Sequence, residues 1–128
     1  MLNNLFVRAG APTYSNETID ILRLIRSENV GPRTFAQLVK FFGSASKALD
    51  NIADFSLKGG RSKPIKICTK AVAEKEIEQL LKNNAYLLTY KDFNYSQLLL
   101  QIHDFPPVIT YKGNVELLNA EKIVAIVG

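Results

Sequence analysis

The chain has 128 residues, enough for one domain or for one small domain with part of another. Apolar residues make up 47% and charged residues 22%, as in an ordinary soluble globular protein, and no apolar run approaches the roughly 20 residues that span a bilayer. A net charge of +4 permits phosphate binding without establishing it. The single Cys68 forms no intramolecular disulfide, which suits a reducing cytoplasm. With the single His103 it does not make a protein-only zinc site, so no metal or cofactor is expected.

Residues 1–14 show no hydrophobic period and hold Gly10, Pro12 and Thr13, so they read as a loose lead-in. Their apolar patch, Leu5 to Val7, is too short for a secretory signal. A first helix is expected from Ser15 or Asn16, which can cap it, with Glu17 and Asp20 in its first turn and Ile21, Leu22 and Ile25 on its buried stripe. Arg23 and Arg26 fall on the outer face and read first as a solvated surface. Asn29 to Thr34 makes a turn, and Pro32 suits the first turn of a second helix that Gly43 ends. Ser44 caps a third helix carrying Ala48, Leu49 and Ile52. Residues 15–57 are therefore expected as a small helical bundle.

The central hairpin of this bundle resembles a helix-hairpin-helix, which binds backbone phosphates through free amides at the start of its second helix. Asn29 stands at the motif's first glycine and Phe35 at its small residue. Gly31, Arg33 and Thr34 are the candidate DNA contacts, and a purely structural turn is the plainer reading. Residues 58–70 carry Lys58, Arg61, Lys63, Lys66 and Lys70 with no acidic residue among them. The stretch reads as a solvated linker and as a candidate electrostatic patch; it holds no aromatic residue on which a base could stack.

A fourth helix is expected from about Ala71 to Asn83, with Val72, Ile77 and Leu81 inward and Glu74 and Glu78 spaced to pair with Lys70 and Lys82. Tyr86 to Thr89 reads as a strand, Tyr95 to Ile102 as a short helix stopped by Pro106-Pro107, and Val108 to Tyr111 as a second strand. The run from Ile123 to Val127 is five apolar residues ending at Gly128, the pattern of a strand buried on both faces of a parallel sheet. Such a strand leads into a phosphate-binding turn in doubly wound folds, and the turn itself would follow Gly128. The expected fold is thus a helical bundle followed, over residues 71–128, by the opening of an incomplete Rossmann-like parallel sheet.

Taken in order, Val30-Gly31-Pro32-Arg33-Thr34, Phe41-Phe42-Gly43-Ser44, Asp92-x-x-Tyr95, Ile102-x-Asp104, Pro106-Pro107, Tyr111-x-Gly113 and Val124-Ala125-Ile126-Val127-Gly128 resemble the N-terminal part of the DprA/Smf family of bacterial DNA-processing proteins. The resemblance implies a bundle of the sterile-alpha-motif type and a Rossmann-like domain. It also implies binding and protection of single-stranded DNA and help in loading a RecA-type recombinase during natural transformation. It implies no catalytic cycle. Of the family's glycine-serine-arginine turn only Gly128 stands in this sequence, so a fragment lacking the main DNA pocket is expected. Candidate DNA-binding residues are Gly31, Arg33, Thr34, Lys58, Arg61, Lys63, Lys66 and Gly128. A stand-alone helix-hairpin-helix module and a protein-interaction bundle with no DNA role are the alternatives. An enzyme has the least support, since His103 beside Asp104 has no cysteine or second histidine near it in sequence to suggest a nucleophilic pair or metal site.

Overall fold

A computed structural model of the protein describes residues 13–128, and the lead-in up to residue 12 lies outside them. Four helices come first: α1 (Asn16–Ile25), α2 (Pro32–Phe42), α3 (Ala45–Lys58) and α4 (Lys70–Lys82). Two strands, β1 (Tyr86–Thr89) and β2 (Val108–Tyr111), follow. The helix starts are set by local capping. The Ser15, Ser44 and Thr69 hydroxyls accept the Thr18, Lys47 and Val72 amides at 3.1, 3.1 and 3.3 Å, supplying partners that the first turn lacks. Gly43 ends α2 in the left-handed region at φ 95°, where its amide bonds to the Val39 carbonyl.

Helix α1 is buried on two adjacent faces, and this joins the halves of the chain. Ile21 and Leu24 pack with Phe35 and Leu38 of α2 and with Ala48, Leu49 and Ile52 of α3. Ile19 and Leu22 pack with Ala73, Ile77 and Leu81 of α4 and with Leu87 of β1. Each such aliphatic side chain, fully buried, contributes about 1.5–3 kcal/mol, so α1 is the principal wall between bundle and sheet. Phe35, at the helix-hairpin-helix position expected to hold a small residue, is buried in the bundle core and meets the Tyr90 ring edge-on at 5.8 Å.

The sheet is two-stranded and antiparallel, with Tyr86 opposite Tyr111 and Thr89 opposite Val108. A parallel Rossmann-like sheet is therefore not present among the described residues. Ile123 to Val127, expected as a buried strand, lies outside the sheet; Val124, Ile126 and Val127 are each at least 85% exposed. Strand geometry is stabilised by cross-strand partners, and in this arrangement the run has none. The helix expected over Tyr95 to Ile102 is also replaced, by a single 3-10 turn at Leu99–Gln101. The Tyr95 hydroxyl donates to the Pro106 carbonyl at 2.6 Å, and the Ser96 hydroxyl accepts the Leu99 amide at 3.3 Å. These side chain to backbone bonds compete with a helical ladder. Leu98 and Ile102, which such a helix would turn inward, are exposed.

Candidate nucleic-acid interface

The turn between α1 and α2 presents an open helix start. Asn29 adopts φ 58°, and Gly31 precedes Pro32 in an extended conformation at φ −92°, ψ −179°. No side chain caps α2, and its first turn holds no acidic residue. The Phe35 amide bonds back to the Gly31 carbonyl, while the Arg33 and Thr34 amides have no hydrogen-bond partner among the described residues. Donors left free at the positive end of a helix dipole favour an anion. Arg33 is exposed beside them.

The basic stretch is fastened to this turn. The Glu28 amide donates to the Lys66 carbonyl at 3.0 Å, and the Lys66 amide donates to Glu28 Oε2 at 2.9 Å. Arg61 Nη2 reaches Glu28 Oε1 at 3.2 Å, and Arg61 Nε donates to the Lys63 carbonyl. Further along, the Cys68 amide donates to the Ser27 hydroxyl and Arg23 Nε donates to the Cys68 carbonyl, each at 3.0 Å. Ser56 Oγ accepts the Ile65 amide, and Ile65 and Ile67 pack against the bundle core. Residues 61–68 thus form a strap laid against the end of α1. The Lys66 amide and the Arg61 guanidinium hold the Glu28 carboxyl below its ordinary range, so it stays charged and neutralises Arg61.

Of the sequence-predicted residues, Gly31, Arg33, Thr34, Arg61 and Lys66 therefore gather about one turn, with Lys63 two positions from Arg61. Lys58, Lys63 and Lys66 are exposed and form no ion pair with another described residue. Lys58 is the last residue of α3. Gly128 is exposed, and a side chain built there would meet none of the described residues within 4 Å.

Sequence reasoning missed Glu28, Ser27 and Arg23, whose partners stand 33 to 45 positions away. Arg26, expected on a solvated face, is exposed, and its guanidinium also makes two bonds to Glu76 of α4, at 3.0 and 3.2 Å. Between strap and α4 runs a cleft of about 460 Å³ lined by Arg26, Lys66, Cys68, Val72 and Glu76. Burial pushes the Cys68 thiol up, so it stays protonated at neutral pH. His103 and Asp104 are both exposed. Among the described residues no three His, Cys, Asp or Glu side chains cluster to hold a metal ion, and no helix is long and apolar enough to cross a membrane.

Comparison with protein families gives two matches, one to each half of the chain. Residues 15–78 match the DprA-like N-terminal HHH domain, and residues 86–128 match DNA recombination-mediator protein A. The first match spans the four-helix region up to the last turns of α4, and the second takes in both strands and the apolar run. No curated protein sequence matches the chain. The chain belongs to the DprA/Smf family, of which it carries an N-terminal portion. Its domains are those of a DNA recombination mediator.

Proposed function

We propose that this protein binds single-stranded DNA in the cytoplasm as a recombination mediator and assists a RecA-type recombinase, with no catalytic cycle of its own. The contact surface in this chain is the start of α2 together with the strap. The observation that supports the reading is the Glu28 bridge, which fastens Lys66 to the α1–α2 turn that leads into the free amides of Arg33 and Thr34. Such a surface meets phosphates and reads no base, so binding is weak and independent of sequence.

Fluorescence anisotropy with a labelled oligothymidine tests this. Affinity is expected to fall steeply between about 50 and 200 mM salt, and Lys63→Ala with Lys66→Ala to lower the log–log salt slope by about 1.4 if each lysine meets one phosphate. Binding that persists at high salt, or that ignores both substitutions, contradicts the proposal.

One observation favours a second reading, a protein-interaction bundle. Phe41, Phe42 and Phe55 stack at 4.8 to 5.7 Å on the α2–α3 surface, with Phe41 70% exposed. Exposed aromatic groups of this kind suit a partner surface. Co-sedimentation of the chain with recombinase filaments separates the two: loss of binding on Phe41→Asp, with DNA affinity unchanged, supports the second.

A further inference from the structure

Phe93 is the most exposed aromatic side chain among the described residues, at 94%. A single exposed apolar residue calls for no explanation by itself. The backbone that carries this one, however, is fastened on both sides of the ring. Asp92 Oδ2 accepts the Thr89 amide at 2.7 Å, and the Asp92 amide donates to the Thr89 carbonyl at 3.0 Å. The Asp92 carbonyl accepts the Tyr95 amide at 3.0 Å, and the Asn94 carbonyl accepts Asn119 Nδ2 at 3.2 Å. Tyr95 is itself completely buried. The turn is held in place while its ring is left in water.

Two clefts meet at this residue. One, of about 400 Å³, runs past Tyr14, Leu87 and Tyr111. The other, of about 760 Å³, runs past Tyr90, Gln97 and Asn119. Asp92, Phe93 and Asn94 line both and form the wall between them. The one cation among the described lining residues, Lys91, already pairs with Glu17 at 2.8 Å, and Asp92 and Glu116 add negative charge. Like charges repel, so these clefts do not favour a phosphate. They suit an uncharged planar group. Phe93 supplies the ring, and Asn94 and Gln97 supply amides, each both donor and acceptor. The Asn94 side chain makes no hydrogen bond with another described residue, and Gln97 uses only Nε2, on the Tyr95 carbonyl. The larger cleft is joined to the bundle through Tyr90, whose ring meets Phe35 of α2 edge-on at 5.8 Å.

We infer that an unpaired base of single-stranded DNA stacks on Phe93, with its polar edge on the Asn94 and Gln97 amides. This rests on the reading of the chain as a single-strand binder and adds to it a contact of another kind. The strap has lysines and no aromatic residue, so it holds the backbone; Phe93 holds a base. Every base has a π face, so stacking adds affinity without selecting a sequence. It does select the strand state, because a duplex keeps its bases stacked on one another and a single strand can turn one out.

Anisotropy with an oligothymidine and with a base-free phosphodiester of the same length and label tests it. The chain is expected to prefer the oligothymidine about ten-fold. Phe93→Ala should abolish that preference and leave the salt slope unchanged, since no phosphate contact is lost. Phe93→Trp should keep the preference, and thermal unfolding of both variants should match that of the unsubstituted chain, because the ring is exposed. Equal binding of the two oligomers by the unsubstituted chain overturns the inference and leaves the phosphate contacts standing. A preference that survives in Phe93→Ala overturns it too. Binding of neither oligomer overturns the single-strand reading and this inference together. Loss of co-sedimentation with recombinase filaments in Phe93→Ala, with the base preference intact, would assign the ring to a protein partner instead and overturn it equally.

Discussion

Glu28 grips both backbone polar groups of Lys66: its amide donates to the Lys66 carbonyl at 3.0 Å while its carboxylate accepts the Lys66 amide at 2.9 Å. With Arg61 on its second oxygen, this one side chain holds the basic strap against the α1–α2 turn. The arrangement explains how a stretch with the composition of a linker becomes part of a surface.

The strap should loosen with acid. The folded-state carboxyl of Glu28 sits below its ordinary value, so its contribution is fully present above about pH 4.3 and is lost as pH falls through the lower folded value. Hydrogen exchange corrected for intrinsic rates is expected to show Lys66 protection dropping below that point. In Glu28→Gln, protection should be weaker at neutral pH and no longer follow this titration.

Tyr95 is completely buried and its hydroxyl donates to the Pro106 carbonyl at 2.6 Å. Tyr95→Phe removes that bond while keeping the ring, and is expected to cost about 1 kcal/mol in urea unfolding. Tyr95→Ala leaves a cavity as well and should cost about 3–5 kcal/mol.

Two glycines at the ends of the α2 region should respond in opposite ways. Gly43 adopts φ 95°, so Gly43→Ala is strained and is expected to destabilise by about 1–2 kcal/mol. Gly31 is extended with open space around it, and Gly31→Ser can cap α2, a gain of a few tenths of a kcal/mol, roughly. The same serine competes for the α2 amides, so thermal unfolding and oligothymidine binding measured together should show higher stability with weaker DNA affinity.

The Arg26–Glu76 pair is bidentate but open to solvent, with side chains 45% and 31% exposed. Arg26→Ala is expected to cost only about 0.2–1 kcal/mol, shrinking as salt rises towards roughly 1 M. A larger, salt-independent loss would show that packing of the arginine stem, rather than its charge, links α1 to α4.

The sequence by itself determined the elements whose causes are local. Ser15, Ser44 and Gly43 mark helix ends because a capping hydroxyl or a left-handed glycine acts within a few residues, and the α1 stripe follows from helical spacing alone. Both strands, at Tyr86–Thr89 and Val108–Tyr111, were legible for the same reason. Only the tertiary structure decided that the strands pair antiparallel, because hydrophobic pattern carries no sign of strand direction. It alone brought Glu28 to Lys66 and Arg26 to Glu76, contacts 38 and 50 positions apart that no local rule encodes. The apolar run at Ile123–Val127 shows the limit most clearly. Its composition favours a strand, but a strand is completed by its neighbours, and whether those are in place is a property of the whole fold.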